Sequence, residues 1–348
     1  MTLFSLFRRT RELLWFTGVL LVLGQLAAPA YGSYAEREDV RAWISAQVEA
    51  HGLDAAAVTS TLNGAKRQES ILKAIARPAE RVLTWDEYRR LFVEPMRIEQ
   101  GLAFWNTHAA TLDRARMRFG VPPEYVVAII GVETRYGRVT GSYRVLDALA
   151  TLGFDYPPRA TFFRGELLAL LLMAREEGLD PATLKGSYAG AMGYGQFIPS
   201  SFRAYAIDFD ADGHRDIWGN PTDAIGSVAN YFARHGWARD GLVAAPLGAA
   251  DASAAQRASG WTDDSLELNF TAGALRAAGW KLPPLADDQA SELLLLDGAQ
   301  GKEVWAALPN FYVITRYNRS RLYALAVHEL AGALRDRYAA ANNGVSAR

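Results

Sequence analysis

Residues 125–137 read Tyr-Val-Val-Ala-Ile-Ile-Gly-Val-Glu-Thr-Arg-Tyr-Gly, so one glutamate, Glu133, ends an almost wholly apolar run. Two prolines at 122–123 precede the run, and proline suits the first turn of a helix. Gly137 suits the exit from a helix, because glycine adopts the left-handed conformation without strain. The sequence therefore predicts a buried helix over 123–136 that carries a carboxyl group in its last turns.

A carboxyl group in such a place has an altered acidity. Burial penalises the charged form, so the pKa of Glu133 is expected to lie above the reference of about 4.3. A carboxyl group that stays protonated near neutral pH can act as a general acid, for example in the cleavage of a glycosidic bond. The alternative is a surface glutamate that pairs with Arg135 or Arg138.

Composition limits the class of protein. The chain has 348 residues, of which 50% are hydrophobic, and this is enough for a large core and two or more domains. The formal net charge of −1 argues against nucleic acid as a partner, since no strong basic field is present. The absence of cysteine excludes disulfides, a cysteine nucleophile and a thiolate metal site.

The first thirty residues have the pattern of an export signal. Three arginines within residues 8–11 precede an apolar stretch at 13–26, and small residues follow at 28–30. The apolar stretch is short for a transmembrane helix, which needs about 20 residues. We therefore expect a signal peptide over 1–30 and a periplasmic mature protein, and an uncleaved anchor is the alternative. Without cysteine, the chain is not expected to be a lipoprotein.

The remaining pattern is mainly helical, with a small β element late in the chain. Residues 38–80 alternate short helical patches with breaks, and residues 243–262, rich in Ala, Ser and Gly, resemble a boundary. Longer helices are predicted, in chain order, at 86–119, 123–136, 161–177, 223–236 and 319–340. Short strands are predicted at 292–297, 304–308 and 311–315. The expected fold class is mainly α, of the α+β kind, with a small antiparallel sheet.

A glycine-rich motif occupies residues 186–201 and includes Met192. Its glycines allow the backbone to approach a ligand closely. Ser187 and Gln196 offer hydrogen-bonding groups, and aromatic faces come from Tyr188, Tyr194 and Phe197. Sugars need this combination of flat apolar faces and polar edges. The spacing fits neither a dinucleotide loop nor a nucleophile elbow, and the alternative is a tight turn between helices.

An acidic loop over 208–219 has the spacing of a calcium site. Carboxylates stand at loop positions 1, 3, 5 and 9, with Gly213 at position 6. Position 12 is Gly219 instead of the usual glutamate, and Asp223 could replace that ligand. The alternative is a solvated acidic turn.

Two further segments contain weaker patterns. Residues 316–323 combine Asn318 with two tyrosines, which resembles substrate-contact chemistry but is weak evidence alone. His328-Glu329 is followed by Gly332 where a zinc protease motif requires its second histidine, so that chemistry is rejected.

Together these segments resemble the membrane-bound lytic transglycosylase B family, which has a lysozyme-like core. The resemblance rests on residues 131–137, 186–201, 208–218, 224–237 and 317–320, which occur in the family's order. It implies a peptidoglycan-cleaving enzyme of the bacterial envelope. The better-known members carry a lipid-modified cysteine, and this chain has none.

The resemblance also implies a division of the chain and a role for individual residues. The expected regions are an N-terminal helical region at 31–84, a catalytic core at 85–245 and 305–345 with a calcium loop at 208–223, and a β-containing domain at 246–304. Glu133 matches the sole catalytic acid/base. The expected substrate-binding residues are Ser187, Tyr188, Met192, Gln196, Phe197, Tyr231, Tyr317, Asn318, Tyr323 and Arg159. A structural calcium ion is expected on Asp208, Asp210, Asp212, the backbone carbonyl of His214, and Asp223, with no organic cofactor.

The expected reaction follows from the number of carboxylates. Most glycosidases use two, and the nearest in sequence to Glu133, Asp147 and Asp155, lie in segments without a catalytic pattern. We therefore expect a lytic transglycosylase that cleaves the β-1,4 bond between MurNAc and GlcNAc and leaves 1,6-anhydroMurNAc ends. The alternatives are a hydrolytic muramidase and a non-catalytic peptidoglycan-binding protein. Expected partners are glycan strands and other cell-wall enzymes, with no nucleic acid, and the protein is expected to be a monomer.

Overall fold

The computed structural model describes residues 32–76, 83–249, 252–262 and 266–345. The predicted signal peptide lies outside them. The described residues from Ser33 onward group into one compact unit. The α-helices are α1 Glu38–His51, α2 Ala55–Asn63, α3 Glu69–Ile75, α4 Trp85–Phe92, α5 Pro95–Thr107, α6 Ala109–Phe119, α7 Pro123–Thr134, α8 Val145–Asp155, α9 Ala160–Glu177, α10 Pro199–Tyr205, α11 Pro221–Arg234, α12 Ala252–Ser259, α13 Ala272–Ala277, α14 Pro309–Tyr317 and α15 Arg321–Val345. The strands are β1 Tyr143–Arg144, β2 Lys185–Gly186, β3 Ala244–Ala249, β4 Phe270–Thr271, β5 Ala290–Gly298 and β6 Gly301–Ala307. The prediction of a mainly helical fold with a small antiparallel sheet is confirmed.

Helix α7 is the centre of the helical core. Residues 125–131 are all buried, as their apolar character predicts for a helix that is covered on every side. Helices α5, α6, α11 and α15 pack against it. Glu133 therefore projects from the end of a helix that its neighbours hold on several sides.

The predicted helical stretch over 86–119 is wrong as one element, because the structure has three helices there. Glu94 is extended, with φ −121° and ψ 151°, because Pro95 disfavours a helical conformation in the residue before it. His108 has φ −114° and separates α5 from α6. The breaks allow α4 and α5 to approach the core in different directions.

The predicted strand at 311–315 is also wrong, since these residues lie in α14. Pro309 occupies the first turn of that helix, and Leu308 before it is extended. A short apolar run does not distinguish a buried helix from a strand, and packing decides here. The third long strand is instead β3, inside the segment that resembled a boundary.

The antiparallel sheet has the strand order β3-β6-β5-β4. One face of β5 and β6 joins the main core through Leu294, Leu296 and Trp305. The other face forms a second cluster with α12 and α13, which includes Leu293 and Val304. The proposed division of the chain into regions stays a prediction.

Helix ends otherwise differ from the predicted ones by a few residues. Helix α7 stops at Thr134, two residues early, because Arg135 and Tyr136 have φ values of 51° and 62° in the left-handed region. The predicted helix at 161–177 is confirmed as α9, and Gly178 ends it with φ 65°. In the part of the chain that the structure describes, no helix has the length and apolar character needed to cross a membrane.

Candidate active site

Glu133 lies in the last turn of α7 and is half-buried. The hydroxyl of Tyr323, on α15, donates a hydrogen bond of 2.5 Å to its Oε1. Burial raises the pKa of Glu133 to about 7, and the hydrogen bond from Tyr323 opposes that rise. Both the protonated and the charged form are therefore populated near neutral pH, as an acid/base catalyst requires.

The charge of Glu133 also affects two more tyrosines. Burial and the nearby charge of Glu133 raise the pKa values of Tyr88 and Tyr317. The hydroxyl of Tyr317 donates a hydrogen bond of 2.5 Å to the carbonyl of Gly195, in the glycine-rich loop. Tyr88 was not predicted from the sequence, because it stands on α4, far from every recognisable motif.

Hydrogen bonds fix the end of α7. The Thr134 hydroxyl donates to the carbonyl of Tyr194 at 2.9 Å, and the backbone N–H of Gly137 donates to the same hydroxyl oxygen at 3.0 Å. Gly137 lies against the Tyr194 ring, where a Cβ would come within 2.1 Å of Cε1. The glycine-rich loop is thus attached directly to the residue after Glu133.

A second attachment joins α7 to α5. The guanidinium of buried Arg97 donates to the carbonyl of Gly131 at 2.7 Å. The hydroxyl of Tyr136 donates to the carbonyl of Arg97 at 2.9 Å, and its ring fills the space beside Gly101 and Gly131. Neither glycine leaves room for a Cβ, so close contact of these two helices depends on both.

The glycine-rich loop uses several predicted side chains to hold its own shape. The Ser187 hydroxyl oxygen accepts hydrogen bonds from the backbone N–H groups of Ala189 and Ala191. Gln196, with φ 52°, donates from Nε2 to the carbonyls of Thr140 and Gly193.

Three further residues of this loop differ in exposure. Met192 is fully buried, and its backbone pairs with that of buried Phe197. Tyr188 is 40% exposed, so its ring is available to a ligand. A substrate-binding role for the residues of this loop stays a prediction.

Aromatic packing extends the tyrosine group away from Glu133. The ring of Tyr231 lies 4.7 Å from that of Tyr317 and 5.8 Å from that of Phe197. Its hydroxyl donates a hydrogen bond of 2.6 Å to the carbonyl of Arg316. These packed rings connect α11, α14 and the glycine-rich loop.

The two remaining predicted substrate residues are exposed and lie outside this packed group. The guanidinium of Arg159 lies over the rings of Phe162 and Phe163. Asn318 is exposed immediately after α14.

Other carboxylates near in sequence have structural partners. Asp147 accepts hydrogen bonds from the backbone N–H of Lys66 and from Arg144. Asp155 accepts from Tyr34 and Arg37 and joins the N-terminal helical region to α8. Among the described residues, no carboxylate contributes to the pKa of Glu133. Within the described part of the chain, Glu133 therefore has no carboxylate partner.

The acidic loop brings three predicted ligands together. Ligand oxygens of Asp208, Asp210 and Asp212 all lie within 4.8 Å of one another. Asp208 accepts hydrogen bonds from the backbone N–H groups of residues 211, 212 and 213, and these bonds lower its pKa, the one from Gly213 most. Three converging carboxylates fit a hard divalent cation, which prefers oxygen ligands.

Asp223 lies beside the acidic loop and is bonded to its backbone. It is fully buried, and its two oxygens accept the backbone N–H groups of Phe209 at 2.7 Å and Asp216 at 2.8 Å. These bonds attach both sides of the loop to the first turn of α11. His214 is exposed, and its backbone N–H donates to Asp212. Whether Asp223 and the His214 carbonyl bind metal stays a prediction.

Residues 35–332 match the model of the transglycosylase SLT domain family. The chain belongs to this family. The membrane-bound lytic murein transglycosylase B of Escherichia coli is 45% identical over 313 residues, which are 87% of this chain and 84% of the relative. The resemblance inferred from the sequence is thereby confirmed.

Solved structures of transglycosylases have the same fold. The soluble lytic transglycosylase SltB1 from Pseudomonas aeruginosa is 51% identical, with a TM-score of 0.81 over 87% of this chain and 99% of its own. The Escherichia coli lytic transglycosylase Slt35 in complex with calcium is 45% identical, with a TM-score of 0.79 over 88% and 96%. SltB3 from Pseudomonas aeruginosa in complex with NAG-anhNAM-pentapeptide is 33% identical, with a TM-score of 0.75 over 86% and 79%.

Proposed function

We propose that this transglycosylase-family protein is a lytic murein transglycosylase, a lyase that cleaves the β-1,4 bond between MurNAc and GlcNAc in peptidoglycan and forms 1,6-anhydroMurNAc. The main support is the state of Glu133, which is half-buried, has a pKa of about 7 and has no carboxylate partner among the described residues. Family membership supports it, and so does the anhydro sugar bound to SltB3.

In the first step Glu133 acts as the acid. Its protonated carboxyl group donates the proton to the glycosidic oxygen as the bond from MurNAc C1 breaks, and GlcNAc leaves with a free 4-hydroxyl. Positive charge develops at C1, and the N-acetyl group of the same MurNAc can stabilise it. Glu133 is then a carboxylate, which the Tyr323 hydroxyl stabilises by its hydrogen bond.

In the second step the same carboxylate acts as the base. It removes the proton from the C6 hydroxyl of MurNAc, and the oxygen attacks C1 to close the 1,6-anhydro ring. Glu133 regains its proton, and no water is consumed. One carboxyl group is sufficient because the substrate provides the nucleophile.

The two alternatives are not favoured. A hydrolytic muramidase on the usual plan needs a second carboxylate to direct water or to form a covalent intermediate, and none in the described part of the chain contributes to the pKa of Glu133. A non-catalytic binding protein would not need a carboxyl group with a pKa near 7. Mass spectrometry of muropeptides released by the purified protein tests all three, since only the transglycosylase gives products one water lighter than the hydrolysis products.

Tyr323 is expected to set the acidity of Glu133. Loss of its hydroxyl in Tyr323→Phe removes a bond that favours the charged form, so the pKa of Glu133 rises further. The fall of kcat/KM at alkaline pH, where the acid loses its proton, should move up by about one to two pH units. Rate profiles from pH 5 to pH 10 measure the shift.

Tyr338→Phe is the control. Tyr338 lies on another part of α15, and its ring stacks on that of Trp105 on α5. An unchanged alkaline limb in Tyr323→Phe, with a folded protein, would show that Tyr323 does not control the acid.

The acidic loop is proposed to bind one structural calcium ion. Asp208, Asp210 and Asp212 converge, and the relative Slt35 is solved in complex with calcium. In this proposal the His214 carbonyl and Asp223 complete the ligand set. The ion would fix the loop that precedes α11, the helix that carries Tyr231, and would take no part in the chemical steps.

Calcium is therefore expected to raise the melting temperature. Binding to the folded state alone adds about 2.7 kcal/mol at 100 times the dissociation constant, which corresponds to about 4 °C for a chain of this size. Thermal melting with calcium and with a chelator measures the difference. Asp208→Asn should abolish most of the response, whereas Asp113→Asn on α6 should retain it. Identical curves for the metal-free and calcium-treated protein would exclude the site.

Location and partners follow from the substrate. Peptidoglycan lies in the bacterial envelope, and the relative from Escherichia coli is named as membrane-bound. We place this enzyme in the periplasm, with glycan strands as its binding partner. N-terminal sequencing of the protein from its host tests whether residues 1–30 are removed.

A further inference from the structure

A cavity of about 380 Å³ lies in the sheet region and shares no lining residue with the group around Glu133. It is open to solvent on one side and is lined by β3, the turn between β5 and β6, and the first part of β6. Its lining residues are Pro246, Gly248, Ala299, Gln300, Gly301, Lys302, Glu303, Val304 and Trp305. Its volume falls in the range of small-ligand sites, about 300–1,000 Å³.

An irregularity in the sheet accompanies this cavity. The pairing of β3 with β6 shifts between Pro246 and Gly248, which marks a β-bulge. Gly248 and Gly301 have φ values of 104° and 115°, and a Cβ on either would meet no atom within 4 Å. The backbone is therefore open at both positions, as it is where a ligand approaches a strand closely.

One charged group in the cavity has a hydrogen-bond partner that orients it. The indole N–H of Trp305 donates a hydrogen bond of 3.2 Å to Oε2 of Glu303. The same carboxylate lies across Gly298, where a Cβ would come within 1.9 Å of Oε1. Glu303 is half-buried, so the lack of a side chain at Gly298 allows this orientation.

The remaining polar groups disfavour an anionic ligand. The ammonium of Lys302 is paired with Asp297 at 2.7 Å, so it does not offer an unpaired positive charge. Glu303 accepts hydrogen bonds, and the amide of Gln300 can donate and accept. A mostly apolar cavity with one oriented acceptor and one amide suits a neutral molecule with hydroxyl and N–H donors.

We propose that this cavity is a second glycan-binding site, which holds one N-acetylated sugar residue of a peptidoglycan strand by hydrogen bonds to the Glu303 carboxylate. This inference rests on the proposed function, because that function supplies the polymer. The site shares no residue with the group around Glu133, so it contributes binding and not chemistry. It would hold an insoluble strand while the catalytic site cleaves it.

The test uses the full chain with Glu133→Gln, so that the probe is not cleaved. Chitotetraose, a soluble chain of N-acetylglucosamine, is added while the indole N–H signal of Trp305 is followed by NMR and assigned with Trp305→Phe. We expect a saturable shift of that signal. Glu303→Gln and Gly298→Ala should each weaken the affinity read from it by about tenfold.

Gly298→Ala changes the site without placing strain on the backbone, because Gly298 lies outside the left-handed region and only the flexible Glu303 side chain must move. The matched control is Gly165→Ala on α9, where a Cβ meets no atom within 4 Å. Thermal melting confirms that each variant is folded.

Two outcomes would overturn the site. One is a Trp305 signal that does not move at saturating probe. The other is a shift that Glu303→Gln and Gly298→Ala leave unchanged, since the signal would then report another site. Failure of the proposed function is a separate outcome. In that case the wild type would release no anhydro products, whether or not the Trp305 signal shifts.

Discussion

Replacement of Glu133 by glutamine is expected to reduce turnover of peptidoglycan by about 10²- to 10⁴-fold. Glutamine keeps the size of the side chain and a hydrogen bond to Tyr323 but cannot exchange a proton. Glycan binding should persist. Release of muropeptides from purified sacculi measures the loss, and wild-type products should be one water lighter than those of lysozyme and resist borohydride. Reducible MurNAc ends would indicate a hydrolase.

The control for this variant lies on the same helix. Glu124→Gln changes a carboxyl group in the first turn of α7, about two turns before Glu133, and should keep wild-type turnover. Full activity of Glu133→Gln would remove Glu133 from the mechanism.

Glu133→Gln is also expected to change the stability of the folded protein in a way that depends on pH. The pKa of Glu133 rises from 4.5 in the unfolded chain to about 7 in the folded protein. The folded state therefore binds the proton more tightly, and the carboxyl group costs stability as pH rises from 4.5 to 7, by at most about 3 kcal/mol. Glutamine has no such cost, so the melting temperature of Glu133→Gln should exceed that of the wild type at pH 8 and approach it near pH 4.5.

Gly131→Ala is expected to damage both stability and activity. A Cβ at this position would lie 2.5 Å from the Tyr136 hydroxyl and 2.6 Å from its Cζ, inside the contact between α5 and α7. Overpacking, together with loss of the hydrogen bond from the Tyr136 hydroxyl to the Arg97 carbonyl, should lower the free energy of unfolding by about 2–4 kcal/mol. A shift of Glu133 by about 1 Å should reduce turnover about 100-fold.

Denaturant unfolding and turnover of sacculi measure the two effects. The control is again Gly165→Ala, which places the same methyl group in a helix with open space and should be neutral or stabilising. Wild-type values for Gly131→Ala would show that Tyr136 moves away without cost and does not position α7.

Local patterns predicted the parts of the site that lie close together in sequence. The apolar run before Glu133 predicted a buried helix, and the alternating aspartates predicted the cluster at 208–212. Each depends on neighbouring residues only, so it can be read without knowledge of the fold.

Features that depend on distant contacts were not predictable in this way. Tyr88 is close enough to Glu133 for that charge to raise its pKa because α4 packs against α15, and nothing in its own segment indicates this. Residues 311–315 have an apolar pattern that a strand and a buried helix share, and Asn310 shows why packing decides. This buried side chain accepts from the N–H of Ala238 and donates to the carbonyls of Ala238 and Gly241, which fixes the start of α14.

The hydrogen bond between Tyr323 and Glu133 joins residues 190 positions apart in sequence. Residue 133 is synthesised long before α15, so a nascent or C-terminally truncated chain holds the carboxyl group of Glu133 without its tyrosine partner. Helix α15 also packs against α7 and α4, so the acid obtains its enclosed surroundings only when the last helix docks. A chain that lacks the last helix is therefore expected to hold Glu133 with the acidity of an ordinary exposed carboxyl group.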